Sequence, residues 1–230
     1  MQDAEDYSFP TYNAAVQALI GILQPATVLD VGAGAGKYAH LVKAVAPGAH
    51  LTALEVGEES IRRHNLGEVY DVVLQETANS MIERQPLAMF DVAILGDVIE
   101  HMRKSEGQDF LNWLIYRTGY VIVVTPEAMP MNRDPWYEGH NSVWTERDFH
   151  WCDNWACHQM EHSQLFVLRG YQKHPVTMRE ACARLNAMAI IASEGHAEGA
   201  VVLEHRDTSK FTLYPTANPD QVLRVWWREP

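Results

Sequence analysis

The stretch VLDVGAGAGK at 28–37 runs a buried-strand pattern straight into three glycines at alternate positions, Gly32, Gly34 and Gly36. No other stretch restricts the fold as much. Glycines at that spacing let the backbone turn tightly and admit a ligand with no Cβ in its way. Helical periodicity follows, with Tyr38, Leu41, Val42 and Val45 on one stripe and Pro47-Gly48 closing it, before a second strand at 51–56. Strand, glycine turn, helix and strand together make the unit from which open parallel sheets are built.

The alternation continues. FDVAIL at 90–95 and YVIVV at 120–124 predict two more strands, flanking a helix whose core face is Phe110, Leu111, Leu114 and Ile115. A weaker strand candidate lies at 70–74, and Val16, Leu19, Ile20 and Leu23 mark an N-terminal helix with Thr11 near its start and Pro25 just past its end. Residues 125–143 form a long loop containing Pro126, Pro130, Pro135 and Gly139, a length typical of binding loops and lids. Thr145 and Asp148 then suggest a capping box, and Trp144 and Phe149 a hydrophobic staple, for a helix over roughly 146–155. Strands near 157–161 and 165–171 would finish the sheet as an antiparallel pair. Past Tyr171 the pattern changes to a helix over 176–193 and short strands near 200–205, 210–214 and 222–227. The expected class is α/β, doubly wound and mostly parallel over 1–171, with a small α+β extension over 172–230. That extension is open to three roles: a substrate cap, an addition to the main sheet, or a homodimerisation arm.

Charge narrows the partners. The formal net charge is −12, and the excess lies in the first part, where residues up to Tyr171 hold 11 Lys/Arg against 23 Asp/Glu. An acidic field with no cluster of Lys/Arg argues against a nucleic-acid partner, whose affinity comes largely from phosphate neutralisation. No apolar run is long enough to span a bilayer, and the opening MQDAEDYSFP is acidic where a secretory leader would be basic and then apolar, so neither membrane insertion nor export is expected and the cytoplasm is the expected compartment. Cys152, Cys157 and Cys182 supply neither a disulfide framework nor paired zinc-ligand spacing.

The glycine turn discriminates among nucleotide classes. A dinucleotide fingerprint needs glycine at position 37, which is Lys37, and a phosphate loop needs glycine at 31 and Ser or Thr at 38, which are Val31 and Tyr38. Asp30 is awkward beside a pyrophosphate but suits the ammonium of a zwitterionic ligand. The helix behind the turn offers unpaired N–H groups to a carboxylate, and Glu55, ending the second strand, can accept both hydroxyls of a ribose.

VLDVGAGAGKYAHLV resembles the first motif of the class I S-adenosylmethionine-dependent methyltransferases, and FDVAILGDVIEHM resembles their fourth-strand motif; the likeness covers about residues 10–171. The resemblance implies a seven-stranded sheet and S-adenosyl-L-methionine as cofactor. It implies that Asp30, Gly32, Gly34 and Gly36 hold the methionine part, that Glu55 binds the ribose, and that Gly96 and Asp97 pass alongside the cofactor. Gln75 or Glu76, just after the third strand, would meet the adenine amine. GDVIEHM followed by TP, a long loop and GHNSVW is similar to a bacterial small-molecule or glycan-modifying subgroup. DPWY at 134–137 has only a superficial likeness to the motif of amino-directed nucleic-acid methyltransferases, because it follows strand five rather than strand four.

Ligands of open parallel sheets sit beyond the carboxyl ends of the strands, where Asp97, Glu100, His101 and the 125–143 loop converge. His101 and His140 are the candidate catalytic bases, since imidazole titrates near neutrality. Glu100 with the two histidines has the composition of a divalent-metal site, but spacing alone does not assign a metal. Trp136, Tyr137 and Trp144 either wall an apolar or sugar-binding cleft or anchor the loop. The leading expectation is O-methylation of a small metabolite, natural product or carbohydrate. N-methylation leaves the same signature, and a noncatalytic cofactor-binding scaffold is the reading from another class.

Overall fold

A computed structural model of the chain describes residues 10–126, 139–160, 163–190, 214–215, 221–223 and 225–228. Helix α1, Asn13–Leu23, buries Ala15, Val16, Leu19, Ile20, Ile22 and Leu23 along one side. It ends at Gln24, which adopts a left-handed conformation and donates its amide to the Ile20 carbonyl. Thr11, the expected start signal, makes no cap; its side chain is buried, and Tyr12 precedes the helix without a side-chain cap bond. Strand β1 (Thr27–Val31), the glycine turn and α2 (Lys37–Val45) follow, then β2 (His50–Leu54). Two short helices, α3 (Glu58–Arg63) and α4 (Leu66–Val69), lead to β3 (Val72–Leu74), and α5 (Ala78–Arg84) to β4 (Phe90–Gly96). A 3-10 turn at Ile99–His101 precedes α6 (Lys104–Ile115) and β5 (Thr118–Pro126). The remainder is a 3-10 turn (Glu146–Phe149), β6 (Trp155–Gln159), β7 (Ser163–Arg169), α7 (Met178–Ala187), and the short strands β8 (Tyr214–Pro215), β9 (Gln221–Val222) and β10 (Trp226–Arg228).

Eight of these strands form one sheet in the order β10-β6-β7-β5-β4-β1-β2-β3. β3, β2, β1, β4 and β5 pair in parallel, β5–β7, β7–β6 and β6–β10 antiparallel. Helices cover both faces: α1, α2 and α7 pack on one beside Val28, Ile94 and Ile122, and α6 on the other beside Leu29, Leu95 and Val123. Strands buried on both faces read as unbroken apolar runs, which is why β1, β4 and β5 are clear in the sequence. Strand order reverses between β1 and β4, so the crevice beyond their carboxyl ends is the position at which such sheets bind ligands.

The structure corrects the expectation in three places. The sheet has eight strands of mixed direction rather than seven, because Trp226–Arg228 from the C-terminal extension pairs with Trp155–Cys157 of β6. The helix expected over 146–155 is one 3-10 turn: the capping box at Thr145 and Asp148 forms, but Trp155 pairs with Leu168 and draws the chain into β6. The helix expected over 176–193 is shorter, Met178–Ala187. The expected strand at 200–205, nearly all of that at 210–214, and most of the long loop, with Asp134, Trp136 and Tyr137, lie outside the described residues. Among the described residues no helix is long and apolar enough to cross a membrane.

Candidate functional site

All three turn glycines have positive φ, +69° at Gly32, +50° at Gly34 and +78° at Gly36. A Cβ at Gly32 would also overlap Val98, so alanine is excluded there by both backbone and space. Under this turn lies Asp30, buried at the end of β1. The Tyr70 hydroxyl donates to its Oδ2, whereas Oδ1 is buried without a hydrogen-bond partner. Burial pushes the Asp30 carboxyl up to about 7, against the opposing Tyr70 hydrogen bond and the nearby Lys37 charge. Lys37 Nζ lies 3.9 Å from Asp97 Oδ2, and burial draws its own pKa down.

Glu55 follows β2 and faces the same crevice. Its Oε2 accepts the Gly34 amide at 2.9 Å and its Oε1 the Gly57 amide at 2.8 Å, so this carboxylate ties the glycine turn to the start of α3. The Ser60 hydroxyl adds a bond to the Gly34 carbonyl. Of the two residues expected after β3, Gln75 is exposed, whereas Glu76 is partly buried with Oε2 unpartnered and Oε1 3.5 Å from Arg84. Gly96 has a packing reason of its own, since any Cβ there would overlap the Tyr38 ring. Asp97 sits at φ +50° with its amide on the Val124 carbonyl, at the junction of β4 and β5.

Beyond that junction the two histidines meet. The described end of the long loop, 139–144, is bound down on the 3-10 turn: the amides of Asn141 and Ser142 donate to the Glu100 carbonyl at 2.7 and 3.0 Å. Asn141 Nδ2 donates to the His101 carbonyl and Trp144 Nε1 to that of Ile99. Lys104 fixes the same segment, reaching the Val143 carbonyl and Asp148 with its ammonium over the Trp144 ring. The imidazoles of His101 and His140 thus come edge to face, with ring centroids 4.9 Å apart. Beneath them Glu100 is buried; Thr125 Oγ1 donates to its Oε2 at 3.2 Å, and Oε1 is a buried oxygen with no hydrogen-bond partner. Burial, and then the neighbouring Asp97 charge, raise this carboxyl well above the usual carboxylate range.

Asp30, Gly32, Gly34, Gly36, Glu55, Gly96 and Asp97 thus lie at or just past the carboxyl ends of β1, β2 and β4, His101 and His140 meet beyond β4 and β5, and Gln75 and Glu76 stand apart past β3. Sequence reasoning passed over Tyr70, Lys37, Ser60, Thr125 and Asn141. Lys37 adjoins the glycine turn and was within reach of the motif; Tyr70 and Asn141 act on partners 40 residues away and leave no local signal. None of the three cysteines forms a disulfide, and all three are buried. A shallow hollow at the opposite end of the sheet, lined by Thr27, Asp91, Tyr171 and Lys173 among others, contains none of the expected site residues.

The strand order, the glycine turn, the acid near the end of β1 and the acid just past β2 define the class I methyltransferase fold, and solved structures agree. The N-terminal domain of EvdMO1, solved in the presence of SAH and D-fucose, is similar over 74% of this chain and 84% of its own, with a TM-score of 0.56 and 14% identity. The methyltransferase domain of bacterial CtHen1-C is similar over 69% and 96%, with a TM-score of 0.51 and 18% identity. No family model matches the chain, and no curated protein matches it in sequence. Likeness at such low identity establishes the fold and leaves the acceptor to be argued from the site.

Proposed function

We propose that this protein is an S-adenosylmethionine-dependent methyltransferase acting on an oxygen of a small metabolite, natural product or carbohydrate. The observation that carries the reading is Asp30: a buried carboxylate oxygen without a partner, set under a turn whose glycines clear space for a ligand. A buried charge of that kind is costly until a cation meets it, and the α-ammonium of the methionine moiety is such a cation. Glu55 retains lone pairs for ribose hydroxyls beside the two amides it already binds, and Glu76 Oε2 is a free acceptor for the adenine amine. The cofactor, when bound, supplies an electrophilic methyl carbon on a sulfonium.

His101 and His140 border the acceptor side, where they orient a hydroxyl and promote loss of its proton. The acceptor oxygen forms the new C–O bond as the C–S bond breaks, its electron pair returning to sulfur. The acidic surface suits a neutral or cationic acceptor better than a polyanion.

Calorimetry on the full chain should show S-adenosylhomocysteine binding and no comparable binding of NAD or ATP. Glu55→Ala should weaken that binding by about 1.5–3 kcal/mol, the usual loss for charge-assisted hydrogen bonds. Replacing both histidines by alanine should lower turnover on a hydroxylated metabolite panel by roughly 10²–10⁴-fold with cofactor affinity nearly unchanged. Tight NAD binding with no response to S-adenosylhomocysteine would overturn the assignment. Full turnover in the double variant would favour transfer to an already nucleophilic oxygen or amine.

A further inference from the structure

The side chains of Glu100, His101 and His140 each present a ligand atom, and these atoms all lie within 4.8 Å of one another. Two donors that each stand about 2.1 Å from one ion are at most about 4.2 Å apart, so small side-chain rotations suffice to close the set on a cation. The backbone already holds the three together. His101 and Glu100 share the 3-10 turn after β4, and His140 is brought to them by the Asn141 and Ser142 amides on the Glu100 carbonyl.

The second observation is independent of spacing. Glu100 Oε1 is buried and has no hydrogen-bond partner, an arrangement that costs free energy in a low-dielectric interior unless something electropositive meets it. Thr125 satisfies only Oε2. Two imidazoles and one carboxylate form a donor set suited to Mn, Fe, Co or Zn rather than to magnesium or calcium, whose sites are built from oxygen alone. Three protein ligands also leave coordination positions open.

We infer that Glu100, His101 and His140 form a site for one divalent first-row transition-metal ion, whose open position takes the acceptor hydroxyl. The inference rests on the methyl-transfer reading and deepens it: the histidine pair promotes proton loss as ligands of a Lewis acid. The cation lowers the pKa of the hydroxyl bound to it, the proton leaves to solvent, and the oxygen keeps the electron pair that attacks the methyl carbon.

The test uses the full chain, stripped with a chelator and titrated with manganese or cobalt, alone and with S-adenosylhomocysteine. Calorimetry gives the stoichiometry, manganese electron paramagnetic resonance the loss of free ion, and cobalt absorption the ligand set. One ion per chain is expected, with affinity falling about tenfold or more in His101→Ala, His140→Ala and Glu100→Gln. His140 is half-buried and on a loop segment, so its variant keeps the test valid if Glu100→Gln fails to fold. Absence of stoichiometric binding, or binding indifferent to His140→Ala and His101→Ala, would overturn the site. If S-adenosylhomocysteine binds while the metals do not, the site fails and the methyltransferase reading stands. If the metal binds through these residues but S-adenosylhomocysteine does not, the site stands and the methyltransferase reading fails.

Discussion

At the scale of single residues, the binding role proposed for Asp30 comes with a stability cost. Its folded pKa of about 7 lies above the ordinary carboxylate value of 3.8, so the folded state holds the proton more tightly than the unfolded chain. This group's contribution to stability is thus complete below about pH 4 and is lost as pH rises towards 7. Asp30→Asn should raise the melting temperature of the ligand-free protein at pH 8, with the gain shrinking as pH falls below 7 and disappearing by about pH 4. The same variant should weaken S-adenosylhomocysteine binding by about 2–5 kcal/mol, the usual penalty for truncating a buried charge partner. Wild-type affinity should climb between pH 6 and 8 as Asp30 ionises, and the variant's should not; parallel pH profiles for the two proteins would remove Asp30 from the ammonium site. Asp30 and Glu55 were legible in the sequence because they sit at fixed offsets from a glycine turn. Tyr70, which sets how Asp30 is hydrogen-bonded, was not, because its partner is distant in sequence.

Among the elements, α1 is held to the sheet by more than apolar contact. The Tyr12 hydroxyl lies 3.0 Å from His158 Nδ1 in β6 and also within reach of the His158 and Ser163 carbonyls. Burial depresses the His158 pKa to about 3, so its contribution to stability is present above pH 6.5 and is lost as pH falls from there towards 3. Chemical denaturation should show Tyr12→Phe costing about 0.5–1.5 kcal/mol at pH 7. His158→Gln should reduce the fall in stability between pH 6.5 and 4, and an unchanged acid limb would exclude this histidine as its cause. The regular elements were readable in proportion to their burial. β4 and β5 lie in the sheet interior and were plain, whereas edge strand β3 is three residues long with Val72 38% exposed and was only faintly marked. The error over 146–155 has a specific origin: a capping box reports where a helix begins, not how far it runs, and the pairing of Trp155 across β7 determined the end.

For the whole molecule, the eighth strand decides what the outer edge of the sheet looks like. β10 is short, yet it is anchored: Asn186 on α7 donates to the Val225 carbonyl and accepts the Val225 amide at 2.9 and 2.8 Å. Asn186→Ala should leave both groups of a buried residue unpaired, cost about 1–3 kcal/mol, and speed hydrogen exchange of the β6 amides. Light scattering of the same variant should show concentration-dependent association, as expected of an uncovered strand edge. Unaltered β6 protection would show that Asn186 does not hold the strand. A strand near 222–227 and its addition to the main sheet were among the expectations, but the partner was not legible, since three residues near the C-terminus carry no sign of pairing with a strand about 70 positions earlier. The same separation sets an order of assembly during synthesis. At about 5–20 residues per second, β6 is made roughly 4–14 s before the strand that covers it. For that interval the nascent sheet, with its ligand crevice already encoded, has an open edge available to a chaperone or to a neighbouring nascent chain.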